Sequence, residues 1–198
     1  MLRGVIFDMD GTLTVPAIDF AAMRRQLGIP TGDILTTVWA WPAERQAWAF
    51  DIIEGLEAEA RRKLAIQPGA DELLAFLDAR GLEKGIVTRN TPTTVAHLLA
   101  RLRSPFSAVI TREFTAIKPD PAPVLHICRQ WGVAPKHVLM VGDYRDDLLC
   151  GRAAGSITCL LRNDRNGEFA ALADHVADSL TAVRDVVAAL LPRAPAAG

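Results

Sequence analysis

The chain has 198 residues, half of them hydrophobic and under a quarter charged, with a net charge of −1. That length suits one domain, or a core with a modest insertion, and the apolar share is enough to bury a real core. Near-neutral charge with no basic run of five or more advertises neither nucleic acid nor an anionic membrane as a partner, and no stretch approaches transmembrane length.

The first strand is the short apolar run Val5-Ile6-Phe7, which stops at Asp8-Met9-Asp10-Gly11-Thr12. Carboxylates do not belong in a buried strand unless they are paired or bind a metal. At its C-terminal end they open into the crevice where parallel α/β sheets hold ligands. Asp-x-Asp-Gly-Thr there can supply a nucleophile, a proton-transfer group and an oxygen-rich cation site from one turn. An Asx-rich turn with Gly11 at positive φ is the plainer reading of the same residues.

The β/α rhythm then stops for about fifty residues, a stretch that reads as a small helical insertion over 15–66. Asp19 can cap a helix over 20–27, closed by Gly28 and Pro30. Residues 33–41 are apolar, β-branched and Trp-rich, consistent with helix or strand. Over 43–64, Phe50, Ile53, Leu56, Ala60 and Leu64 recur at intervals of three and four, a helical stripe. Trp39, Trp41 and Trp48 hint at a partner surface or an apolar lid. An insertion at this point in the chain emerges beside the Asp8 turn and is expected to close over it.

From residue 67 regular alternation resumes. Helices are expected over 71–79, from Thr91-Pro92, from Asp120-Pro121 to Trp131, over 146–154, and around Val183 to Leu190. Strands are expected over 85–87, 108–110, 137–141 and 156–161, with a short sixth over 175–177; from Pro192 a frayed tail is expected. Apolar strands alternating with amphipathic helices predict an α/β fold, a doubly wound parallel sheet formed by 1–14 and 67–198. Cys128, Cys150 and Cys159 are odd in number and lack C-x-x-C spacing. They read as reduced, buried residues of a cytoplasmic protein. The four histidines show no metal-ligand spacing.

Three further segments carry chemistry. Thr88 ends the second strand, followed by Arg89 and Asn90; Lys118 sits in Ile117-Lys118-Pro119-Asp120-Pro121; and Gly142-Asp143-Tyr144-Arg145-Asp146-Asp147 follows the fourth strand. Together with Asp8-x-Asp10-Gly11-Thr12, these segments resemble, in order and spacing, the four motifs of the haloacid dehalogenase superfamily. Most members of that superfamily are Mg2+-dependent phosphohydrolases. The resemblance spans about three quarters of the chain and implies a Rossmann-like core with a small cap of the C1 type. It also implies roles. Asp8 would be the nucleophile and Asp10 the general acid and base. Thr88 and Lys118 would bind the phosphate, with Gly11, Arg89 and Asn90 as further phosphate or substrate contacts. Mg2+ would lie on Asp8, Asp143 and the main-chain carbonyl of Asp10, with Asp147 one step further out or orienting Lys118.

Asp10 favours phosphate ester chemistry over dehalogenation, because an alkoxide leaving group needs a proton and chloride does not. Tyr144 departs from the small residue common at that position, and Asp146 reads as an acid favourable to a helix N-terminus. The implied substrate is a small phosphorylated metabolite, with no nucleic acid, no membrane and an open oligomeric state. Asp19, Arg24, Arg25 and Arg45 are cap-side candidates for contacting it. A phosphomutase would use the same motifs, a phosphonatase would need an amine such as Lys63, and a binding protein could keep the fold without turnover.

Overall fold

The computed structural model describes residues 1–192, so the expected tail lies, from residue 193 on, outside the described residues. Contacts divide the chain into two compact units, 1–15 with 65–198 and 16–64.

The larger unit is built on a six-stranded parallel sheet in the order β3-β2-β1-β4-β5-β6. Its strands are β1 (Gly4–Phe7), β2 (Glu83–Val87), β3 (Ala108–Ile110), β4 (Val138–Gly142), β5 (Ile157–Leu161) and β6 (His175–Ala177). β1 lies between β2 and β4, with Phe7 level with Ile86 on one side and Val141 on the other. Every residue of β1 and β4 is buried, which is why these strands read as unbroken apolar runs: a parallel sheet has helices on its faces. The chain order reverses between β1 and β4, the switch point where such sheets open a crevice at their C-terminal edge.

Among the described residues five α-helices belong to this unit: α4 (Ala70–Asp78), α5 (Pro92–Leu99), α6 (Ala122–Trp131), α7 (Arg145–Ala154) and α8 (Leu180–Leu190). Strand alternation sends Ile6, Val138 and Met140 into one cluster with Val124, Ile127 and Cys128 of α6 and Cys150 and Ala154 of α7. α4 and α8 pair separately, against β2, β5 and β6. Thr91 caps α5 with its hydroxyl, followed by Pro92 in the first turn, and Gly132 and Gly155 close α6 and α7 in the left-handed conformation. All three cysteines are buried and free, and burial pushes the Cys150 and Cys159 thiols up to about 12, making them poor nucleophiles.

The smaller unit holds three helices, α1 (Phe20–Leu27), α2 (Ile34–Trp39) and α3 (Ala43–Arg62). The ambiguous stretch is thus helical: the Asp33 carboxylate accepts from the Thr36 N–H at 2.8 Å, and that cap selects helix over the β-branched strand alternative. Met23, Leu27, Ile34, Val38, Ala49 and Ile53 form this unit's own apolar cluster. Trp41 stacks on Trp48, and the Arg45 guanidinium lies 3.7 Å over the Trp41 ring. Asp19 caps α1, and Arg24 donates to the Gly32 carbonyl at 2.7 Å, so both have local structural partners. Among the described residues no helix is long and apolar enough to cross a membrane.

Candidate active site

Asp8 leaves β1 at the switch point, its N–H bonded to the Val141 carbonyl of β4. The next turn is tight: the N–H groups of Leu13 and Thr14 converge on the Met9 carbonyl, and Gly11 has φ +77°. Gly11 is required there for a second reason. A Cβ at that position would lie 2.2 Å from an Asp143 oxygen, so its absence lets the β4 loop approach the β1 loop. Gly142 does the same for Asp147, whose side chain would be 2.3 Å from a Cβ there. The two glycines allow acids from two strands to meet.

Meet they do. Carboxylate oxygens of Asp8, Asp143 and Asp147 all lie within 4.8 Å of one another. The Lys118 ammonium joins them, 2.5 Å from Asp8 Oδ1 and 2.6 Å from Asp147 Oδ1. Lys118 is buried, and burial alone would lower its pKa; Asp147 and Asp8 outweigh that and hold it above its ordinary value, fully charged. For Asp8, burial pushes the carboxyl up, Lys118 opposes it, and Asp147, Asp143 and Asp10 add to the rise. Burial and then Asp147 raise Asp143 to about 7. One lysine therefore faces three clustered carboxylates. The excess negative charge is what a divalent cation would neutralise, and an all-oxygen donor set of this kind fits Mg2+.

Asp10 stands apart from that cluster. Its Oδ2 accepts from Asn90 Nδ2 at 2.5 Å and its Oδ1 from the Thr14 hydroxyl at 3.5 Å. Burial raises its pKa, and the Asn90 hydrogen bond partly offsets this. Asn90 is itself buried, and its amide also donates to Thr88 Oγ1 at 3.0 Å. Thr88, at the end of β2, is thereby set beside Asp10, and its Oγ1 also accepts the Asn90 N–H at 3.1 Å.

Two expected phosphate contacts are otherwise engaged. The Gly11 N–H donates to the Thr14 carbonyl at 2.9 Å. Arg89 Nη2 donates to the Lys118 main-chain carbonyl at 2.5 Å and to Asp146 Oδ2 at 2.7 Å. Arg89 thus ties the β2 loop to the lysine loop and to the first turn of α7, and Asp146 is half of an ion pair rather than only an acid at a helix N-terminus. Tyr144 is exposed, its ring edge-on to Phe169 at 5.4 Å, and its N–H bonds Asp147 Oδ2 at 3.0 Å.

Sequence reasoning missed the turn after β5. Asn163 donates to Asp143 Oδ2 at 3.2 Å, and Asn166 to the Asp143 carbonyl at 2.7 Å. The available signal was two asparagines three apart immediately beyond a strand, on the same sheet edge as the acids.

Comparison with known proteins gives one consistent answer. The family model for the haloacid dehalogenase-like hydrolases matches residues 2–155. A haloacid dehalogenase-like hydrolase domain-containing protein of Arabidopsis thaliana is 45% identical over 181 residues, covering 85% of this chain and 73% of the relative. The N-acetylmuramic acid 6-phosphate phosphatase of Pseudomonas aeruginosa is 32% identical, covering 81% of this chain and 82% of that protein. Among solved structures, a hydrolase from Pseudomonas syringae superposes with a TM-score of 0.79 at 22% identity, over 96% of this chain and all of the other, a likeness of fold.

Proposed function

The chain belongs to the haloacid dehalogenase-like hydrolases and is an enzyme of their phosphatase kind; from that premise we propose that it hydrolyses the phosphate monoester of a small metabolite, with Mg2+ and through an aspartyl-phosphate on Asp8. The observation that carries this reading is the unequal setting of two acids in one turn. Asp8 is tied to a charged lysine, whereas Asp10 is half-buried and held by a neutral amide. Two acids of one turn held by such different partners are suited to different roles in one reaction.

Asp8, paired with Lys118, attacks phosphorus as the carboxylate; the P–O bond to the leaving group breaks, and the departing alkoxide takes a proton from Asp10, which burial keeps protonated more readily than an ordinary carboxyl. Asp10, now a carboxylate, takes a proton from the incoming water. The new P–O bond forms, the Asp8–phosphorus bond breaks, and inorganic phosphate leaves. Lys118 faces the nucleophile throughout and offsets charge gathering on the phosphoryl oxygens. Thr88 supplies a hydroxyl at the end of β2 beside the acid. Asp8, Asp143 and Asp147 would hold Mg2+, which supplies charge neutralisation for the approach of an anionic phosphate.

The test is Asp8→Asn assayed for phosphate release from an aryl phosphate with Mg2+ present. Loss of turnover is expected; unchanged turnover would remove Asp8 as the nucleophile. A panel of phosphorylated metabolites on the wild-type protein then identifies the substrate.

A further inference from the structure

Beyond β5 the chain turns through Asn163-Asp164-Arg165-Asn166, a segment that none of the four motifs includes. Asn166 is 3% exposed, and every polar atom of its amide is used. Its Nδ2 donates to the main-chain carbonyls of Asp143 at 2.7 Å and Leu161 at 2.9 Å, while its Oδ1 accepts the Asn163 N–H at 2.7 Å. Asn163 is exposed, but its amide is oriented as well. Its Oδ1 accepts the Arg165 N–H at 2.9 Å, which leaves Nδ2 as the end that donates to Asp143 Oδ2 at 3.2 Å. With donors and acceptors matched in this way, neither amide can flip without leaving polar groups unpaired.

We propose that this asparagine turn is the positioning element for Asp143: Asn166 fixes its main chain and Asn163 the rotation of its carboxylate, setting it to take a divalent cation. The inference rests on reading the Asp8, Asp143 and Asp147 cluster as a cation site. Asp143 Oδ2 is bounded on one side by Gly11, where even a Cβ would collide, and approached by Asn163 from β5. A carboxylate held from two sides loses little rotational freedom when it binds a cation. The chemistry of the holder also fits. A neutral amide orients the carboxylate without adding positive charge, whereas a lysine or arginine there would repel the ion that the site collects. Hydrogen bonds to groups that hold a metal commonly set its affinity by about tenfold to a hundredfold.

The experiment follows binding of Mn2+ to the full-length protein by the loss of the free-ion spin-resonance signal, for wild type and Asn163→Ala. Mn2+ is chosen because it prefers the same oxygen donors as Mg2+. Wild type should bind, and Asn163→Ala should bind about tenfold more weakly. Because Asn163 is exposed, the metal-free thermal midpoint should stay within about 2 °C of wild type. With Mn2+ saturating, KM for an aryl phosphate should return to within about twofold of wild type, since the loss lies in cation binding rather than substrate binding. A role confined to holding the loop predicts the reverse, a lowered metal-free midpoint with unchanged Mn2+ affinity, and that result would overturn the proposal. Equal affinity in the two proteins refutes the positioning role alone; a wild type that binds no Mn2+ refutes the cation site itself, and the proposal with it.

Discussion

Two lysines are buried in the same α/β unit, near opposite edges of its sheet, and their surroundings differ. Lys84, near the start of β2, pairs with Asp78 and donates to Ser104 Oγ at 2.5 Å. Ser104 in turn donates to Asp78 Oδ2 at 2.6 Å, which closes a small neutral cluster. Burial lowers the Lys84 pKa. Lys118, at the C-terminal edge, is shared by two buried carboxylates with Asp10 and Asp143 close by, and it is raised. The Lys84 cluster balances its charge and is complete. The Lys118 cluster has an excess of negative charge that no side chain in it offsets, and such an excess is tolerated in a folded interior where a cation or a reaction makes use of it. Charge balance, rather than burial or the mere presence of a lysine–aspartate pair, separates the candidate active-site edge from the opposite one.

That contrast yields predictions of decreasing size. Asp8→Asn should lower turnover by roughly 10⁴-fold or more, since the proposed attacking group is gone. Lys118→Met should cost about 10²–10³-fold in turnover, the usual effect of removing one group that stabilises developing charge. By contrast, Lys84→Met should leave kcat and KM unchanged and shift only thermal unfolding; a fall in turnover comparable to that of Lys118→Met would erase the distinction between the edges. Arg89→Ala tests how far the proposed catalytic edge extends. Losing the tie to the Lys118 carbonyl and Asp146 should lower kcat by about tenfold while KM changes less, and a change confined to KM would instead support direct substrate contact by Arg89.

A smaller effect follows from pH. Asp143 is raised in the folded protein from an ordinary 3.8 to about 7. Between those values the folded state holds a proton that the unfolded state has released, so Asp143 favours folding at the acidic end and loses that contribution as pH rises through about 7. Mg2+ bound to the ionised acids should reverse the penalty. The rise in thermal midpoint on adding Mg2+ should therefore be larger at about pH 8 than at about pH 5; equal rises at both would contradict it.

Much of this was legible in the chain because a buried parallel strand has few alternatives to an apolar run, and because Asp8, Asp10 and Asp143 follow such runs while Lys118 stands between Ile117 and Pro119 just ahead of a helix start. What escaped has physical causes. The helix α2 is only six residues with Thr36, Thr37 and Val38 adjacent, so its β-branched content masked a helix that Asp33 starts. Strand β2 begins at Glu83 rather than Gly85, since charged Lys84 hides a buried position that its pairing with Asp78 makes tolerable. Arg89 and Asp146 are 57 positions apart, and Asn163 and Asp143 are 20 apart. Such pairs are created by the order in which strands assemble, and no local pattern encodes them.

The most direct test of the central claim is a calorimetric titration of Mg2+ into wild-type protein and into Asp143→Asn. An excess of carboxylates waiting for one cation predicts saturable binding by the wild type that is lost or greatly weakened in the variant. Indistinguishable titrations, or no binding by the wild type, would mean that the cluster at this edge does not collect a metal.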